Sequence, residues 1–161
     1  MQSDIEALVH QAEENYLKQP DIELFRQHAA SMQKRLETYE CLRDREVAIF
    51  QPIVKQLMKT YSQENPQLLT KVLQHWVSVL RYCAMAMLLN NPEYLEYRLL
   101  EWLSDIVKAH QMQSLESTLY ELLLSRLSAV LAQQQLALLQ PFLEQARVAL
   151  LGTPEPSIVG G

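Results

Sequence analysis

Glycine is nearly missing from this chain of 161 residues: Gly152, Gly160 and Gly161 are the three it has, and all lie at one end. A β-rich fold spends glycine on tight turns, so a long stretch without it points to helices. Cysteine is scarce too. Cys41 and Cys83 make no disulfide framework and fit a reducing compartment. Basic residues are outnumbered, 14 against 19 acids, for a net charge of −5. No basic run departs from that balance, which argues against general nucleic-acid binding. No uninterrupted apolar run reaches the ~18 residues of a membrane span. The opening MQSDIEALVHQ carries early acids and no apolar core segment, so no signal peptide is expected. Catalytic signatures are missing as well. The histidines His10, His28, His75 and His110 form no HExxH pair, no serine sits in a G-x-S-x-G elbow, and a glycine-rich phosphate loop is ruled out by composition.

What is present is helical periodicity. The stretch from Pro66 to Asn91 organises the rest. Asn65 can cap it and Pro66 suits a first turn. Leu68, Val72, His75, Val79 and Ala86 recur at helical spacing, as do Leu69, Leu73, Trp76, Leu80, Ala84 and Met87. Its polar residues fall mainly on one narrow stripe, Gln67, Lys71, Gln74, Ser78 and Arg81. A helix wet on so little of its girth is the central helix of an all-α domain. Arg81, His75 and Lys71 interrupt it as a membrane span.

Around it the chain reads as amphipathic helices with clear punctuation. Ser3 and Glu6 form a capping box for a first helix that ends near Lys18-Gln19-Pro20. A second helix carries Ile22, Phe25, Ala29, Met32, Leu36 and Tyr39, a stripe regular enough for core packing or a helical partner. The charges Arg43-Asp44-Arg45-Glu46 predict a corner over 41–46. A third helix follows through Val47, Phe50, Val54, Leu57 and Tyr61, with Pro52 expected to kink it or mark a restart. Asn91-Pro92 opens a helix that runs toward His110, and Ser114 can cap the next. Gln133-Gln134-Gln135 reads as a connector before a last helix that stops at Gly152. One domain over 1–152 is expected, with residues 1–20 as a helical extension and 153–161 as a loose tail.

Three stretches resemble the phycobiliprotein family, the globin-like subunits of cyanobacterial light-harvesting antennae. They are Tyr16-Leu17-Lys18-Gln19-Pro20-Asp21-Ile22, then Val79-Leu80-Arg81-Tyr82 with Ala84 to Leu89 and Asn90-Asn91, then Glu93-Tyr94-Leu95 with Leu103-Ser104-Asp105-Ile106. The resemblance implies a globin-like fold with an N-terminal helical extension. It also implies a covalent open-chain bilin, held in the family by a Cys-x-Arg-Asp motif ahead of the Leu-Arg arginine. In this chain the cysteine position falls on Val72, nine residues before Arg81, the arginine on Gln74 and the aspartate on His75. A valine cannot form a thioether, so no covalent bilin is expected there. In the family an acid of the N-terminal hairpin pairs with the Leu-Arg arginine of a neighbouring subunit. Arg81 is kept, while the acid position falls on Gln11, with Glu13 and Glu14 close by.

Cys41-Leu42-Arg43-Asp44 spells the bilin motif, yet it stands some thirty residues ahead of Val72. It reads as a half-buried cysteine beside a charge cluster, with attachment at Cys41 as the outside alternative. His75 reads as a hydrogen-bonded core or pocket histidine, with His75 and His110 facing a haem as the sharper alternative. Two functions follow. The first is a pigment-free, non-enzymatic subunit that assembles with itself, with a phycobiliprotein-type subunit or with a linker, in the cytoplasm or at the cytoplasmic face of thylakoids. The second is a globin-like sensor holding a non-covalent ligand near Val72 and His75.

Overall fold

With no glycine to interrupt them, the segments between prolines and asparagines coil into helices. The computed structural model describes residues 2–110 and 113–152, and among these there is no strand. The helices are α1 (Gln2–Ala12), α2 (Gln19–Thr60), α3 (Pro66–Leu89) and α4 (Pro92–Leu95). A π-helical stretch (Glu96–Leu100) leads on into α5 (Glu101–His110), followed by α6 (Gln113–Val130) and α7 (Gln133–Leu151). The architecture is all-α and globin-like, as the sequence predicts. The tail expected over 153–161 lies outside the described residues. So do the side chains of Ser3 and His110, and with them the capping box and the haem-facing alternative.

Several sequence signals do what their chemistry requires. The Asn65 side chain accepts the Gln67 N–H at 3.0 Å, and Asn91 accepts from Glu93 and Tyr94 at 3.0 and 3.3 Å. Asn90 ends α3 in the left-handed region at φ 50°, a conformation asparagine tolerates better than most residues. Gly152 ends α7 at φ 76°, its N–H on the Val148 carbonyl.

The corner expected over 41–46 does not exist. α2 runs unbroken for 42 residues through the charge cluster. Glu40 to Glu46 contains no glycine, proline or asparagine, and its charges sit on the wet side while Thr38, Leu42 and Ile49 are buried. A charge cluster at helical spacing marked a face, not a bend. Nor does α2 restart at Pro52. The missing N–H would orphan the carbonyl of Ala48, four residues back, and the Arg126 guanidinium of α6 donates to that oxygen at 2.9 Å. Gln133 to Gln135 open α7 rather than preceding it, and the Gln135 side chain accepts the Ala132 N–H at 3.1 Å. Ser114 lies inside α6, whose start is Gln113.

The core gathers around α3, which lies against α2, α4, α6 and α7. Trp76, Val79, Cys83 and Ala86 are wholly buried there, with Ile49 of α2, Leu119 and Leu127 of α6, and Leu139 and Ala146 of α7. The length and hydropathy of α3 would also suit a membrane span, but most of its apolar residues are buried or half-buried against these neighbours. The π-helical stretch shifts the helical phase, so that Leu99 and Leu100, one after the other, both face the core between Leu95 and Leu103.

Candidate functional site

The position that the family resemblance assigns to a pigment lies in the first half of α3. Val72 is 3% exposed and belongs to the core, Gln74 points to solvent, and His75 is half-buried. One turn on, the Trp76 indole N–H donates to the carboxylate of Glu116, on α6, and the Trp76 ring lies 5.7 Å from that of Tyr120. Glu116 is itself 1% exposed. Burial pushes its carboxyl up to about 7, against which the Trp76 hydrogen bond acts weakly. An enclosed carboxyl beside an indole therefore occupies the interior next to the α3 position. The sequence pattern held a signal for it: Glu116 shares the buried face of α6 with Leu119, Leu123 and Leu127, where a charge is out of place.

Neither cysteine stands near Val72 in the chain. Cys83 is completely buried, its thiol donating to the Phe142 carbonyl at 3.5 Å, and burial pushes that thiol far up. Cys41 is half-buried in mid-α2, packed against the core. The adjoining Arg43 and Asp44 spend their charge on each other at 2.7 Å.

Arg81 points outward from α3. Its guanidinium makes a two-pronged bond to Glu46 of α2, Nε to Oε1 at 2.7 Å and a terminal N–H to Oε2 at 2.9 Å. That bond lowers the Glu46 carboxyl and raises Arg81. The pair borders a cleft of about 280 Å³ floored by Leu42, Leu80 and Ala84. Gln11, Glu13 and Glu14 are exposed at and just past the end of α1, and Glu13 leans on His10 at 3.7 Å. The pairing expected of these three runs between subunits; within its own chain Arg81 meets Glu46. Glu46 was legible as part of a charge cluster, not as a partner 35 residues distant.

The first half of α2 is an arm. Ile22, Leu24, Phe25, Met32 and Leu36 are all between 38 and 51% exposed, and Val9 of α1 adds to them. The second half, from Thr38 onward, is the part buried against α3 and α6.

A family model described as phycobilisome protein matches residues 8–150. The chain belongs to the phycobilisome protein family. No curated protein and no solved structure matches it. The match begins at Leu8 inside α1 and ends at Leu150 inside α7, so it takes in the arm, Cys41, Val72 and Arg81 alike. A phycobilisome-related, light-harvesting role follows from that membership.

Proposed function

We propose that this phycobilisome protein is a pigment-free subunit that works by protein–protein assembly in the antenna, or by regulating that assembly, rather than by catalysis. The exposed apolar stripe on the arm carries the reading. Ile22, Phe25, Met32 and Leu36 recur at helical spacing on one side of α2, and each keeps 38 to 45% of its surface exposed among the described residues. Solvated apolar surface of that extent and regularity favours a partner. The partner is a second copy, a phycobiliprotein-type subunit or a linker, met in the cytoplasm or at the cytoplasmic face of thylakoids through the phycobilisome.

Val72 supports the absence of a bilin. A carbon-only side chain stands at the attachment position, and Gln74 and His75 offer neither the guanidinium nor the carboxylate that would hold a propionate and pyrrole nitrogens. With Arg81 occupied by Glu46, an interface built on Arg81 and an acid of the Gln11–Glu14 segment would first have to break an internal bond, which favours an altered partner geometry. The sensor reading draws less support. Val72 is enclosed, and the cleft nearby on α3, between Leu69, Leu73 and the Leu57–Tyr61 end of α2, measures about 140 Å³, below the range of roughly 300–1,000 Å³ usual for ligand pockets.

Two measurements decide. Co-expression with bilin synthesis should give the apoprotein mass, and a gain of one bilin on Cys41 would overturn the pigment-free reading. Affinity-tagged protein should co-purify with phycobilisome cores or sediment as a defined oligomer. Recovery solely as a free monomer would overturn the assembly reading.

A further inference from the structure

The helix α1 is thinly anchored. Among its described side chains Leu8 is buried, Ile5 is half-buried and the rest are exposed. The connection over 13–18 is exposed as well, apart from a half-buried Leu17. Eleven residues fall short of the ~12–15 at which an isolated helix becomes even marginally stable in water. Its seat on α2 therefore keeps it helical.

That seat is mostly polar. Leu24, Gln27, His28 and Ser31 face Asp4, Ile5 and Leu8 across a cleft of about 320 Å³. Leu24 is the one apolar residue on the α2 side, and it stays 51% exposed. Along the other flank of α1, Ile5 and Glu6 border a second cleft of about 350 Å³ with Met32, Arg35 and Leu89. Protein interiors are close-packed, and a helix with open space along two flanks lacks much of that dispersion contact. Few buried apolar contacts and an exposed connection mark a segment that opens before the body does.

The seat is also continuous with the apolar stripe of the arm. Leu24 adjoins Phe25, and Met32 of the stripe stands in the second cleft beside Ile5. We propose that α1 is a displaceable cover on the assembly face: it leaves α2 while the body stays folded, and its departure bares Leu24 and Met32 to the partner. This rests on the reading of the stripe as an assembly surface. A partner that gains contact with Leu24 and Met32 binds the open form better than the seated one, and that difference drives the change. While α1 is mostly seated, apparent affinity scales with the open fraction. The cover thus sets how readily the subunit assembles, without touching the core around α3.

The test reads backbone hydrogen exchange on the full chain beside light-scattering mass over a concentration series and recovery with phycobilisome cores. The amides of α1 should exchange at least about a hundredfold faster than those of buried α3. Leu8→Ser removes the buried anchor, and Ser31→Leu fills the first cleft with apolar volume. Leu8→Ser should speed α1 exchange about fivefold or more and tighten assembly by a similar factor. Ser31→Leu should slow the one and weaken the other, and exchange in α3 should stay unchanged in both. The inference is overturned if α1 is as protected as α3, if assembly ignores both substitutions, or if Leu8→Ser weakens it, since α1 would then belong to the interface. Each of these leaves the assembly reading standing. If α1 exchange shifts as expected and no form of the chain assembles, the assembly reading fails and the inference falls with it.

Discussion

Glu116 and Arg81 are both ionisable, but only Glu116 is enclosed. Its carboxyl titrates near 7 in the fold and near 4.3 in an unfolded chain. A raised acid pKa means that the folded state holds its proton where the unfolded state has lost it. The stabilisation is therefore complete below about pH 4, falls as pH rises between the two values, and is flat above 7. The integrated loss is on the order of 3 kcal/mol. Glu116→Gln keeps an acceptor for the Trp76 N–H and removes the titration. Urea unfolding at pH 5 and pH 8 should show the native chain losing stability relative to this variant; parallel behaviour of the two would refute the assignment. Subtracting the variant cancels exposed pairs such as Glu144–Arg147, whose lowered carboxyls have the opposite sign. Arg81 is a contrasting case. With Arg81 65% exposed, its bond to Glu46 is screened, so Arg81→Ala should cost under about 1 kcal/mol, a loss that shrinks further in high salt when measured by chemical denaturation.

Among the elements, α2 shows how a helix survives its own breaker. Pro52 removes the donor for the Ala48 carbonyl, and Arg126 reaches across from α6 to supply one. Arg126→Met should destabilise the chain by under about 1 kcal/mol, because the bond is exposed and water can take the Ala48 carbonyl. Pro52→Ala restores the intrahelical donor, so in that background the same change should cost markedly less. A double-mutant cycle read by thermal or urea melts checks it, and additive costs would show that the two residues are not coupled. The absence of a corner over 41–46 has a related cause. Charge density alone does not bend a helix; a loss of backbone bonding does, and nothing in Glu40 to Glu46 causes one. The π-helical stretch gave no warning in sequence, because it goes with the burial of Leu99 and Leu100 in the core beside α7, a property of neighbours.

At the scale of the whole molecule, the buried and exposed halves of α2 divide the work. Beyond Thr38 the helix builds the body; before it, the arm offers apolar surface outward. Phe25→Glu on the arm should leave the melting temperature within about 1 °C, since surface changes away from packed contacts cost little. It should also reduce self-association or recovery with antenna cores. Light scattering and co-purification measure this. A fall in Tm of several degrees with assembly unchanged would place Phe25 in the fold instead of the interface.

The sequence by itself determined the helical class, the caps at Asn65 and Asn91, the stop at Gly152 and the central place of α3. Each rests on local chemistry, such as a periodicity or a side chain that can bond its own backbone. Tertiary structure decided what depends on distant partners. Within the chain Glu46 meets Arg81, Arg126 takes the carbonyl behind Pro52, Trp76 meets Glu116, and Arg35 is enclosed with no acid beside it among the described residues. Periodicity tells which face of a helix turns inward, but not which residue of another helix it will meet there.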